Sequence, residues 1–118
     1  MVGVFIGKFL PPHRGHITTI LQSYTMCDEL YVIVSERTKE DGELCASNHI
    51  PYIPGVLRKQ WLSQELSNME NIHVKYVDES HLPPPPRGWE EYAKLINSTV
   101  GKHIDYIFGG EVEYAQYY

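Results

Sequence analysis

Hydrophobic positions along the chain follow two alternating periods, and that alternation predicts the fold. Val2 to Ile6 is an apolar run of the kind that becomes a buried strand. Ile17, Ile20, Leu21 and Tyr24 then fall at i, i+3, i+4 and i+7, which predicts a helix over 15–27 with one apolar face. Leu30 to Val34 is again unbroken. It predicts a second strand, apolar on both faces, at the centre of a helix-covered parallel sheet. Residues 36–54 are polar, with Asp41-Gly42 as a turn signal and prolines at 51 and 54, so a long loop is expected there. Pro54-Gly55 opens a helix to about Met69, with Leu62, Leu66 and Met69 on its inner face. Ile72, Val74 and Tyr76 alternate with His73, Lys75 and Val77, the pattern of an edge strand. Pro83 to Pro86 form a stiff connector. From Gly88 onward Trp89, Tyr92, Ala93, Ile96 and Val100 recur at helical spacing. Asp105 to Phe108 reads as a fourth short strand, and the residues after Gly109-Gly110 read as the start of another helix.

The order β-α-β-α-β-α-β implies right-handed crossovers. The fold class expected is α/β, a Rossmann-like parallel sheet with helices on both faces. The amphipathic third strand belongs at the edge, which gives the order 3-2-1-4 with a reversal between strands one and four. Ligands of such sheets bind past the carboxyl ends of the strands at that reversal. The stretch after the first strand, Gly7 to Gly15, lies there.

Composition narrows the class of protein further. The chain has 118 residues, enough for one domain with a single core. No apolar run approaches the roughly 20 residues of a membrane span, and Met1 directly precedes the first strand, so neither a membrane segment nor a leader is expected. Cys27 and Cys45 have no metal-type spacing, which favours a reducing, cytoplasmic setting. The net charge of −5 argues against broad capture of nucleic acid. Lys8, Arg14, Arg37 and Lys39 nevertheless cluster near the ends of the first two strands, so a local cationic site is expected on an acidic protein.

The turn after the first strand carries the candidate chemistry. Gly7 lets the backbone approach a ligand. Pro11 and Pro12 set its shape. Gly15 stands where the helix starts, and a side chain there would narrow an anion site at the helix N-terminus. His13 and His16 can donate N–H to phosphate oxygens. There is no nucleophile with a base and no useful pair of carboxylates. Donors and positive charge around a phosphate suffice for nucleotidyl transfer, where a protein mainly positions groups and stabilises charge. Two histidines in a loop are most often merely solvated. The full string Gly-x-Phe-x-Pro-x-His-x-Gly-His between a strand and a helix is far more specific. Walker and dinucleotide-fingerprint strings are absent.

With Gly7, Phe9, Pro11, His13, Gly15 and His16 in place, the chain resembles the nucleotidylyltransferase superfamily. Within it the chain looks most like the nicotinamide mononucleotide adenylyltransferase domain of NadR-type proteins, along nearly all of its length. The markers are Gly7-Lys8-Phe9, Ser35-Glu36-Arg37-Thr38-Lys39, Arg58 with Trp61-Leu62, Asp78-Glu79, Gly88-Trp89, and Asp105 to Phe108 followed by Glu111 and Tyr114. The resemblance implies adenylate transfer from ATP to nicotinamide mononucleotide, giving NAD and pyrophosphate. By the same resemblance His13, His16 and Lys8 serve the triphosphate and the transition state. Gly7, Phe9, Arg37, Lys39, Gly109, Gly110 and Glu111 lie along ATP and its phosphates. Trp89 stacks on the nicotinamide, with Gly88 and Arg58 beside the nicotinamide nucleotide. Mg²⁺ arrives with ATP, and no protein metal ligands are expected. The family's second motif, an Ile-Ser-x-x-x-Ile/Leu-Arg stretch, does not occur, so the single domain is expected to be incomplete at its C-terminal side.

Two other readings stay open on the sequence. One is a different acceptor within the superfamily, phosphopantetheine or a polyol phosphate; the other is an inactive nucleotide-binding fragment. A homo-oligomer is compatible with either. Trp89 shares the apolar stripe of its helix, where packing is the plain alternative to a ligand platform. Trp61 reads as core, and Arg58 as a phosphate ligand or a surface residue.

Overall fold

A computed structural model of the chain describes residues 1–83 and 87–108. Its elements are β1 (Val2–Gly7), α1 (Arg14–Tyr24), β2 (Glu29–Glu36), α2 (Thr38–Ser47), α3 (Gly55–Glu65), β3 (Ile72–Asp78), α4 (Trp89–Val100) and β4 (Tyr106–Phe108). The four strands form one parallel sheet in the order β3-β2-β1-β4. This is the Rossmann-like arrangement that the pattern predicts, with β1 and β2 central and β3 at one edge.

The two faces of the sheet are covered by different helices, which follows from strand alternation. Phe5, Leu30, Val32, Val34 and Ile72 point to one face. There they meet Ile20 of α1, together with Leu62 of α3 and Leu66 just beyond it. Val4, Ile6, Tyr31, Ile33 and Val77 point to the other, against Tyr92, Ile96 and Val100 of α4. Helix α4 ends cleanly at Gly101, a left-handed C-cap with φ 71°.

The stretch 36–54 departs from expectation. Helix α2 occupies Thr38–Ser47, where the sequence suggests only loop, and Gly42 lies inside it. Its buried positions are Asp41 and Cys45, four residues apart. The inner face thus carries a carboxylate, so hydrophobic periodicity gives no signal for it. Other differences are smaller. Helix α1 stops at Tyr24, with Leu21 exposed on it, and α3 stops at Glu65, beyond which Leu66 and Met69 still pack on the core. Trp61 is 38% exposed, not core. The inward row of α3 is Arg58 and Leu62, continued by Leu66, and Trp61 sits one position off that row.

Candidate functional site

β1 delivers the chain at Gly7 into the turn at the carboxyl end of the sheet. Phe9 follows with φ 51°, a left-handed backbone that a bulky residue adopts at a cost of about 1–2 kcal/mol. Its ring is buried, 6.0 Å from Phe5 and edge-on to His16 at 4.9 Å between centroids. This packing holds the strained turn in place. The Phe9 ring is thus part of the core beneath the turn. The Leu10–Pro11 peptide is cis.

The two histidines cap helix α1 reciprocally. His13 is the N-cap residue, and its Nδ1 accepts the Gly15 N–H at 3.0 Å. His16 Nδ1 accepts the His13 N–H at 3.1 Å. The arrangement is a capping box built from imidazoles. The rings stack at 3.7 Å between centroids, tilted by 23°. Because both Nδ1 atoms accept backbone protons, the neutral tautomer of each ring carries its proton on Nε2. Among the described residues neither Nε2 has a hydrogen-bond partner. Two N–H donors are thereby fixed side by side at a helix N-terminus. Burial, and secondly the neighbouring His13, hold the His16 pKa below its ordinary value. An anion beside it would reverse that shift. A Cβ on Gly15 would stand 2.8 Å from the His13 ring, so this glycine makes room for the ring itself.

The turn borders two clefts. One, of about 440 Å³, is lined by Pro12, His13, Arg14, Ile17, Trp61, Gln64 and Glu65. The other, of about 260 Å³, lies against Leu10, Pro11, Leu44, Cys45, Asn48 and Ile50.

Behind the turn lies a cluster of buried charge. Arg58 is fully buried. Its Nη2 donates to Asp41 Oδ2 at 3.0 Å and approaches Glu36 Oε2 at 3.4 Å. Its Nε donates to the Ile53 carbonyl and its Nη1 to the Lys8 carbonyl, each at 2.9 Å. Glu36 also accepts the Tyr52 and Tyr76 hydroxyls, and the Gly55 N–H at 2.9 Å. Burial pushes the Glu36 pKa up, but these donors and Arg58 outweigh it and hold the carboxyl below its ordinary value. The Tyr76 hydroxyl is pushed well up, by burial first and by Glu36 second. Arg58 is thus enclosed and engaged on every side, and it is not presented to a nicotinamide nucleotide. That corrects the expectation, and the physical reason is its place on the inward row of α3.

Arg37 is engaged within the fold as well. It is 9% exposed, and it donates through Nε to Glu79 at 3.0 Å and through Nη1 to the Leu82 carbonyl at 3.1 Å. Glu79 further accepts the Ser35 hydroxyl at 2.6 Å. The strings around Ser35–Lys39 and Asp78-Glu79 therefore bind each other and fasten the ends of β2 and β3. Lys39 is exposed in the first turn of α2. Lys8 is half exposed, with Nζ 2.6 Å from Asp41 Oδ1. Trp89, half-buried, opens α4, and Gly88 before it is buried, its Cα so close to the Pro83 carbonyl that a Cβ would stand 1.9 Å from it. By topology Trp89 lies at the same end of the sheet as the histidine turn. Gly109, Gly110 and Glu111 lie outside the described residues.

Sequence reasoning missed Asp41, Glu36, Tyr52 and Tyr76. One signal was available: Arg58, Leu62 and Leu66 stand at i, i+4 and i+8. An arginine on an apolar row requires a buried anion opposite it.

Among the described residues no group of three or more His, Cys, Asp and Glu side chains converges on a metal-sized site. Nor is any helix there long and apolar enough to cross a membrane.

A parallel sheet that reverses at β1 and β4, with a histidine-capped helix at the reversal, defines a Rossmann-like α/β domain. No protein-family model matches the chain. The chain is 32% identical over 104 residues to the trifunctional NAD biosynthesis/regulator protein NadR of Escherichia coli. It is also 32% identical over 102 residues to the NadR of Salmonella typhimurium. Each match covers 86% of this chain and 25% of the relative. The fold matches a crystal structure of NadR in complex with NAD and AMP-PNP, with a TM-score of 0.76 and 27% identity over 98% of this chain and 33% of that one. A NadR structure in complex with NR matches with a TM-score of 0.77 and 28% identity, over 98% of this chain and 32% of that one. The chain is homologous to NadR over most of its length, and it spans about a quarter of the length of the curated relatives it matches.

Proposed function

We propose that this chain transfers adenylate from ATP to the 5′-phosphate of nicotinamide mononucleotide, giving NAD and pyrophosphate. The observation that carries the reading is the histidine capping box, with two stacked imidazoles at a helix N-terminus whose Nε2 atoms are left unbonded among the described residues. Homology to NadR, and the nucleotide complexes of its structural neighbours, support the substrate class.

An acceptor phosphate oxygen attacks the α-phosphorus, the new P–O bond forms, and the α–β bridging P–O bond breaks. Its electron pair leaves with pyrophosphate, with no covalent enzyme intermediate. Charge grows on the bridging and β-phosphate oxygens as that bond lengthens, and fixed N–H donors act there without reorganising. His16 and His13 supply those donors, and Lys8 adds positive charge at the edge of the turn. Trp89 is the proposed platform for the nicotinamide ring. Gly109 to Glu111 are proposed to face the adenosine.

The carboxylates nearest the turn, Asp41 and Glu36, are already taken up by cations and hydroxyls. A divalent cation fits here as the partner of the nucleotide, with Mg²⁺ held by phosphate and water oxygens. When bound it would neutralise part of the triphosphate charge. A single nucleotidyltransferase domain in a cytoplasmic setting completes the proposal.

Incubating the chain with ATP, nicotinamide mononucleotide and Mg²⁺ tests the reading. NAD and pyrophosphate should appear in equal amounts. Turnover with phosphopantetheine or a polyol phosphate in place of nicotinamide mononucleotide, or no turnover with any acceptor, refutes it.

A further inference from the structure

Lys8, Asp41, Arg58 and Glu36 form a chain of alternating charge running from the surface inward. Side-chain exposure along it falls from 44% at Lys8 to 0% at Asp41 and Arg58, with 10% at Glu36. Lys8 is held at both ends. Arg58 Nη1 donates to its carbonyl at 2.9 Å, while Asp41 Oδ1 accepts from its Nζ at 2.6 Å. Arg58 and Asp41 are themselves joined at 3.0 Å, which closes the loop. Asp41 is fixed further by the Arg37 N–H at 3.1 Å. A helix that needed only a stable buried pair would be served by Asp41 and Arg58. The exposed lysine on the outer oxygen adds little stability, because a half-exposed ion pair is weak. An ammonium has three donors, and among the described residues Asp41 alone accepts from this one.

We propose that Asp41 is a positioning residue for Lys8. It holds the ammonium at the edge of the histidine turn, and Arg58 with Glu36 behind it fixes Asp41, so that Lys8 meets an incoming polyphosphate already in place. The site residue is thereby set by a carboxylate of helix α2. The inference rests on the adenylate-transfer reading for its substrate, but its geometry applies to any polyphosphate.

The test is a double-mutant cycle with Lys8→Met, Asp41→Asn and the double variant, read as binding of inorganic tripolyphosphate. Lys8→Met should weaken binding about tenfold, the loss of one charge-assisted hydrogen bond. Asp41→Asn should weaken it comparably, and the double variant should bind no worse than Lys8→Met. Additive losses overturn the proposal, since they mean that Asp41 acts without Lys8. Tighter binding by Asp41→Asn overturns it too, since Asp41 would then merely compete for the ammonium. Should Asp41→Asn fail to fold, side-chain ammonium NMR of the wild-type chain decides. The Lys8 signal should be protected from exchange and should shift on adding tripolyphosphate; a Lys8 signal as labile as those of other lysines and indifferent to tripolyphosphate overturns the proposal. If the binding cycle behaves as expected while ATP and nicotinamide mononucleotide give no NAD, adenylate transfer is refuted and the positioning role stands.

Discussion

Two polar clusters meet at Lys8, and their surroundings differ. In the histidine turn, His13 is exposed and His16 half-buried; each spends one ring nitrogen on the backbone and keeps the other for something outside. In the Arg58 cluster Arg58, Asp41 and Glu36 are buried, and each charge faces an opposite charge or a hydroxyl. Each holds residues that the sequence marks as candidates, His13 and His16 in one and Arg58 in the other. What separates them is unspent donor capacity. A fully enclosed arginine supports the fold, because every donor it owns is needed to offset its own burial. A capped imidazole with a bare Nε2–H has capacity left for a ligand.

The largest effect expected from breaking this contrast is on stability. Arg58→Met should lower the unfolding free energy by about 3–5 kcal/mol, since Asp41 and Glu36 lose the buried guanidinium between them. Urea denaturation checks this, and a loss under about 1 kcal/mol would mean that the cluster is not the anchor described. Glu36→Gln sharpens the same point through pH. The Glu36 pKa lies below its ordinary value of 4.5, so its contribution is present above that pH and is lost as pH falls through the folded value. Wild type should therefore exceed Glu36→Gln in stability at pH 7, and the gap should narrow as pH falls below 4.5 and through the lower folded value. A gap that stays constant would show that the carboxylate form is not what stabilises. The smallest effect is a gain. A Cβ added at Gly42 meets nothing within 4 Å, and the residue lies in α2. Gly42→Ala should raise stability by about 0.5–1 kcal/mol in the same urea experiment.

The sheet order was legible because it depends on what periodicity reports: β2 is apolar throughout and β3 alternates. Helix α2 was not legible, because its inward positions are Asp41 and Cys45 and its cohesion comes from charges contributed by Lys8 and Arg58, 33 and 17 residues away in sequence. The histidine turn was legible as a string, yet its geometry was not. Nothing in the spacing tells that both imidazoles cap the same helix, or that Phe9 is the ring packed beneath them. The surroundings of Arg37 and Arg58 are not legible, because a sequence shows charge and not enclosure. Trp61 was read as core, although it sits one position off the buried row of α3.

The division of labour between the turn and the cluster is tested most directly at His16. NAD formation should be measured for wild type and His16→Ala, with folding followed by thermal denaturation in the same buffer. His16→Ala should lose about 10²–10³ in kcat, with KM changed only a few-fold, because the interaction strengthens as charge develops. Its melting temperature should drop by only a few degrees, the loss of one side of a helix cap. A variant that binds ATP more weakly but keeps its kcat would contradict the role given to the turn.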